Sequence, residues 1–190
     1  YGHSTGGIII SHMLTMAPER FGKVLMLDPV SPLGLQMNSS QVGVITAMKT
    51  DPDVCFAGLA SAAPTLFRPE TMVAGQMPQF ADATSPAQRE LFKKIVERTR
   101  VLSDGIWFGT PHNLGLEWDS GALAKRMPEM THEHLILFGK MDYWIPREHL
   151  DVMAAQLPNA KLEIFPYVGH SMNIEQPLLF ARVFGDYFRT

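Results

Sequence analysis

The sequence has one cysteine, Cys55, among 190 residues. An internal disulfide is therefore excluded, and a lone thiol suits a reducing compartment, which favours a cytoplasmic location. Long apolar runs are missing as well: none approaches the roughly 18 residues of a membrane-spanning helix. Charge of one sign is scarce, with 16 Lys and Arg against 19 Asp and Glu and a net charge of −3. The two signs are intermingled, so the clustered basic footprint of a nucleic-acid binder is absent. Neither paired cysteines nor a His-Glu-x-x-His spacing is present to mark a zinc site, and no metal or other cofactor is expected. Internal repeats and low-complexity tracts are also lacking. What remains is globular in composition, 46% hydrophobic and 18% charged, and long enough for one compact domain with a real core.

Two flanking segments share one style. Residues 1–30 read as a turn, a helix and a strand. "TGGIIISHMLTM" is apolar on most faces, which predicts a buried helix stopped near Pro18. "KVLMLDPV" is a short apolar run between Gly22 and Pro29, as in a strand buried on both faces. Residues 132–190 resume this pattern. "HLILFG" and "AKLEIFP" read as strands, and a stripe of Leu150, Met153, Ala154 and Leu157 marks a helix between them. "PLLFARVFGDYF" makes a last helix, with Pro177 at its first position. Alternating strands and helices predict a parallel α/β sheet.

Residues 31–131 break the alternation. This stretch is rich in Pro, Met and Ala, and many of the chain's 12 Met and 11 Phe fall within it. Its clearest element is a helix opened by the capping box Ser85-Pro86-Ala87-Gln88. "DGIWFGTPHNLGLEW" reads as a loop. The segment is expected to be a mostly helical insertion over the C-terminal ends of the strands, where open α/β sheets bind ligands. Its Met and Phe residues serve either as adaptable core or as the wall of an apolar substrate pocket. His3, Trp107, Phe108, His112, Trp118 and Trp144 are the pocket candidates.

The chain opens on "YGHSTGG", with Gly2, Ser4 and Gly6 in a Gly-x-Ser-x-Gly spacing. A serine on a tight strand-to-helix turn adopts a strained backbone. Glycines without a Cβ let the neighbouring chain pass close by. The new helix aims its N-terminus at the hydroxyl, and the N–H of Thr5 is placed to stabilise an oxyanion.

A serine hydroxyl needs a base. Among seven histidines, His170 in "PYVGHSMNIEQP" follows a predicted strand and precedes the last helix. His3 is too close to Ser4 on a tight turn to face it. The base in turn needs an acid to fix its tautomer. Asp142, in the loop after "HLILFG", is the first choice. Asp28, directly after "KVLML", is the alternative, although before Pro29 it also fits a simple turn.

The order Ser4, Asp142, His170, each at the end of a strand, is that of the α/β-hydrolase fold. "GHSTGG", "LFGKMD" and "VGHSMNIEQP" resemble the nucleophile, acid and base stretches of this superfamily, and the insertion resembles its lid by position. The resemblance covers nearly all of residues 1–30 and 132–190, the hydrolase core, with residues 31–131 as lid. It implies an eight-stranded sheet of which this chain carries the nucleophile turn and the last three strands. The earlier strands and a second oxyanion donor would then belong to an N-terminal half, in cis or as a second polypeptide, without which the chain is expected to be inactive. The activity implied is a serine hydrolase cleaving the ester of a small, apolar molecule through an acyl-enzyme. Hydrolysis of a C–C, amide or thioester bond, acyl transfer, and a non-catalytic ligand-binding role remain alternatives. Epoxide hydrolases and haloalkane dehalogenases are disfavoured because those relatives carry Asp where this chain has Ser4.

Overall fold

A computed structural model describes residues 1–189. Four parallel strands lie side by side in chain order: β1 (Gly2–His3), β2 (Val24–Leu27), β3 (His134–Gly139) and β4 (Ala160–Phe165). The sheet has one strand more than expected. Gly2 and His3 pair with Met26 and Leu27, so the nucleophile turn hangs from a short strand on the flank of β2. In register, β2 runs from Val24 against His134 to Leu27 against Leu137, and β3 continues against β4.

Strand side chains alternate between faces, and here both faces are covered. Val24, Met26, Ile136 and Phe138 pack with Ile8 and Leu14 of α1 (Gly6–Met16). They also meet Leu150 and Met153 of α6 (Arg147–Gln156). Leu25, Leu27, Leu135 and Leu137 point the other way, onto Leu179, Phe180, Val183 and Phe184 of α8 (Pro177–Arg189), which follows the short α7 (Met172–Glu175). All four residues of β2 are buried, as a strand sandwiched between helices requires. Burying each such side chain contributes about 1.5–3 kcal/mol.

Helix α1 is less buried than its composition suggests. Ile8 and Leu14 face the sheet, whereas Ile9, Met13 and Met16 are exposed.

Between β2 and β3 the chain is helical: α2 (Ser39–Thr50), α3 (Pro52–Ala62), α4 (Pro86–Arg100) and α5 (Thr110–Ser120). Helix α4 begins at the Ser85 box, with Gln88 reaching back to the Ser85 N–H. Helices α2 and α3 start by the same physics. Asn38 and Gln41 form a reciprocal box, and Asp51 accepts the N–H groups of Asp53 and Val54 ahead of Pro52. The stretch expected to be a loop is instead a π-type turn, Gly105–Gly109, running into α5. Its glycines weaken the helical signal, but Pro111 tolerates the first turn and Gly121, at φ +57°, ends the helix. A core of Met48, Cys55, Phe67, Phe92 and Trp107 holds these elements together, with Phe56 and Phe80 edge-on or stacked against Phe67.

Candidate active site

Ser4 sits between β1 and α1 with φ +56°, a left-handed conformation costly for a residue with a side chain. The turn is over-determined. The Ser4 N–H donates to the Leu27 carbonyl at 3.0 Å, and the Ser4 carbonyl accepts the N–H groups of Gly7 and Val30 at 2.9 Å each. Two glycines make this possible. A Cβ on Gly2 would lie 2.6 Å from the Gly6 carbonyl oxygen, and one on Gly7 would lie 2.2 Å from Pro29. Gly6, by contrast, faces open space, so among the described residues the motif's second glycine is not demanded by crowding. Thr5 caps α1 and lines the same cavity as Ser4.

The three other candidates also stand at C-terminal strand ends: Asp28 after β2, Asp142 after β3 and His170 after β4. Glycines let their loops close up. A Cβ on Gly139 would collide with the Gly169 carbonyl oxygen at 2.1 Å, and one on Gly169 with Pro64 at 2.3 Å. The loops cross at this contact. The Nδ1 of His170 is 2.8 Å from Oδ2 of Asp142, both side chains buried. Oδ1 of Asp142 accepts the N–H groups of Trp144 at 2.6 Å and Ile145 at 3.4 Å.

Asp28 does not take the histidine. It is fully buried, has φ +41°, and accepts the Gly139 N–H through Oδ1 at 2.8 Å. Burial, opposed by the Gly139 bond and reinforced by the neighbouring Asp142, pushes its carboxyl up to about 9. Asp28, Asp142 and His170 place ligand-type atoms within 4.8 Å of one another. Within this cluster Asp142 and His170 stand at hydrogen-bonding separation.

Two further residues contact the loop that carries His170. Glu175, buried, accepts the N–H groups of Gly169 at 2.8 Å and Ser171 at 3.3 Å through Oε1, and the Thr65 N–H and hydroxyl through Oε2. Burial raises its pKa while those four bonds oppose the rise. It thus ties the loop carrying His170 to the helical segment. The glutamate in "HSMNIEQP" is visible in the sequence, but no spacing rule singles it out. His3, expected in the pocket, instead donates from Nε2 to the His170 carbonyl at 2.7 Å, with the two rings 4.8 Å apart. Burial, with His170 adding to it, lowers its pKa to about 4, so the ring is neutral.

A cavity of about 670 Å³ opens above Ser4 and Thr5. Its wall joins Val30 and Ile145 at the sheet to Met48, Leu59, Trp107 and Leu114 of the helical segment. Trp107 and Trp144 line it. Trp144 gives its indole N–H to Ser61 at 3.0 Å. Phe108, His112 and Trp118 do not line it and are exposed. The reason is periodicity. With Trp107 turned inward its neighbour Phe108 faces out, and α5 presents Thr110, Pro111 and Leu114 to the cavity. Trp118 lies two turns beyond Thr110 and stacks on His149 at 5.3 Å. A second groove, of about 540 Å³, runs past Glu133, Asn159 and Tyr187 at the opposite ends of the strands, remote from this chemistry.

No helix among the described residues is long and apolar enough to cross a membrane. The sequence pattern of the alpha/beta hydrolase family matches residues 1–183. Curated relatives include a 2-hydroxy-6-oxononadienedioate/2-hydroxy-6-oxononatrienedioate hydrolase of Comamonas testosteroni, 22% identical over 98% of this chain and 60% of the relative. Esterase YbfF of Escherichia coli is 21% identical over 93% of this chain and 61% of its own length. The chain thus spans about three fifths of these curated relatives. Among solved structures, an esterase from Exiguobacterium antarcticum superposes with a TM-score of 0.68 at 21% identity, covering all of this chain and 65% of that one. A 2-hydroxy-6-oxo-6-phenylhexa-2,4-dienoate hydrolase from a Rhodococcus strain superposes with a TM-score of 0.62 at 19% identity, over 100% and 63%. On the family match over nearly its whole length, together with this parallel sheet, the chain belongs to the alpha/beta hydrolase family.

Proposed function

We propose that this chain carries the catalytic groups of a serine hydrolase that cleaves a small, apolar ester, with Ser4 as nucleophile, His170 as base and Asp142 as its acid. The observation that carries the reading is the strained Ser4, held at φ +56° on the floor of the apolar cavity. Ser4 Oγ attacks the ester carbonyl carbon while its proton passes to Nε2 of His170. The Thr5 N–H faces the oxyanion at the start of α1. Collapse of the tetrahedral intermediate breaks the C–O bond, and the alcohol leaves with the proton from His170. Water, deprotonated by His170, then releases the acid and restores Ser4. Throughout, Asp142 holds His170 with Nδ1 protonated and stabilises the imidazolium.

The helical segment, residues 31–131, acts as a lid that shapes the acyl or alkyl pocket. The cavity residues supplied by this chain carry no charge. That favours a neutral ester over the dicarboxylate that the name of the Comamonas relative implies. Cleavage of a C–C bond by the same three residues is the second reading, favoured by the names of the dienoate hydrolases among the relatives. Because the relatives are longer, the earlier strands and a second oxyanion donor would come from an N-terminal half, and activity belongs to the full-length protein. The test is covalent labelling of Ser4 by a fluorophosphonate, alongside turnover of short-chain p-nitrophenyl esters by that protein. Labelling with turnover supports the ester reading. Labelling without ester turnover, but with cleavage of a 2-hydroxy-6-oxo-dienoate, supports the second. Absence of both sinks the enzyme reading in favour of a ligand-binding role.

A further inference from the structure

Asp28 is a fully buried carboxyl, one strand away from the acid that faces the base. The mechanism above does not use it. Its Oδ1 accepts the Gly139 N–H at 2.8 Å, whereas Oδ2 is buried with no partner. An ionised oxygen left so would be costly, because a dry site offers it no solvation. Asp28 also lies in the three-residue cluster whose ligand-type atoms fall within 4.8 Å of one another, so its carboxyl and that of Asp142 share one pocket. Two carboxyls at such range do not both ionise readily. The donor count decides which of them holds the charge. Asp142 receives the Trp144 and Ile145 N–H groups and faces His170, whereas Asp28 receives Gly139 alone.

We propose that Asp28 is a positioning residue: it stands as a neutral carboxylic acid whose Oδ2 proton is donated to Asp142, and so helps hold Asp142 on His170. This rests on the triad reading. The proton completes the otherwise unpartnered Oδ2. It adds a donor to the Asp142 carboxylate. The backbone at Asp28 is left-handed, φ +41°, a costly conformation for a residue with a side chain. Strain of this kind persists where the surroundings over-determine it. Here the Asp28 N–H donates to the Leu137 carbonyl at 2.8 Å, and its side chain is pinned to Gly139. The neutral state agrees with the carboxyl's raised pKa, about 9. The charged or titratable groups around Asp28 are Asp142 on the β3 loop, Glu175 and His170 on the β4 side, and Tyr1 ahead of β1. Tyr1 is itself pushed up to about 12, first by its own burial and then by Asp28.

The test compares Asp28→Asn and Asp28→Ala in the full-length protein, with active sites counted by fluorophosphonate. Asparagine is neutral, accepts the Gly139 N–H, donates to Asp142 and tolerates a left-handed φ. It is expected to keep kcat within about threefold of wild type. Alanine removes the donor. It is expected to lower kcat by about 10- to 100-fold, the usual weight of a hydrogen bond to a charged group, with little change in KM. Wild type should also lose kcat/KM as pH rises through about 9, where Asp28 ionises. In Asp28→Asn that limb should disappear. If Asp28→Ala does not fold, the asparagine variant and its pH profile decide alone. Collapse of Asp28→Asn with full activity of Asp142→Asn would make Asp28 the triad acid and overturn both readings together. Wild-type kcat in Asp28→Ala, or an unchanged alkaline limb in Asp28→Asn, would overturn the proposal while Ser4→Ala and Asp142→Asn still report on the triad.

Discussion

His170 and Asp142 meet at 2.8 Å across two crossing loops, although 28 residues of chain separate them. The contact exists because β3 and β4 are parallel neighbours, so their C-terminal loops emerge side by side. Gly139 lacks the Cβ that would hold those loops apart, and Gly169 lacks the one that would push its loop off Pro64 of the helical segment. An acid and a base chosen in the sequence only for standing after strands are thereby brought to hydrogen-bonding range.

Ser4→Ala and His170→Ala should each reduce ester turnover of the full-length protein by several orders of magnitude, as loss of a triad member does. Circular dichroism should show the fold intact. Retention of more than about a tenth of wild-type kcat in Ser4→Ala would remove Ser4 from the nucleophile role.

Asp142→Asn should lower kcat by about 10⁴-fold, because an amide presents the wrong hydrogen-bonding face to Nδ1 and favours the other tautomer. KM should change far less. A steady-state comparison with wild type on one p-nitrophenyl ester measures both quantities, and a near-normal kcat would displace Asp142 as the acid.

Glu175→Ala should loosen the base loop. It orphans the N–H groups of Gly169, Ser171 and Thr65, and each buried unsatisfied donor costs about 1–3 kcal/mol. The denaturation midpoint should fall. The loss in kcat should exceed any change in KM, since the loop carries His170 rather than the pocket wall. Urea titration and kinetics on the same preparation check this, and an unchanged midpoint would contradict the clamp.

The cavity should select by acyl length. Each buried CH₂ contributes about 0.8 kcal/mol, roughly fourfold in kcat/KM, until the space is filled. Leu114→Trp should shift the optimum to shorter chains by occupying that space. A flat profile from acetate to octanoate would return Met48, Trp107 and Leu114 to a purely structural role.

Acid should weaken the fold partly through His3. Its pKa falls from 6.5 unfolded to about 4 folded. Between those values the unfolded state binds the extra proton, so stability rises with pH across the window and is lost as pH falls through it. The contribution is on the order of 3 kcal/mol. Denaturation midpoints measured at pH 7 and pH 4 should differ less in His3→Gln than in wild type, and an identical pH dependence would assign the acid sensitivity elsewhere.

Much was legible in the chain by itself. Periodicity located β2, β3, β4, α6 and α8, because a sandwiched strand must be apolar throughout and a covering helix must carry one apolar stripe. The Ser85 box opened α4, since capping is a local hydrogen-bond pattern. Asn38 and Asp51 are equally local signals, and α2 and α3 lie behind them. Helix α5 was hidden because Gly115 within it and Gly105 and Gly109 just ahead of it dilute the helical propensity, while packing supplies the stability. The candidate nucleophile, base and acid follow from chain order and strand ends. The sequence ranks Asp142 ahead of Asp28 on loop position, but only the tertiary structure puts Asp142 on His170, because both are strand-end acids until the β3 and β4 loops come together. Tertiary structure likewise turned His3 onto the His170 carbonyl, and Phe108, His112 and Trp118 out to solvent. Side-chain direction depends on where each turn of helix faces after packing, and residue type does not carry that information.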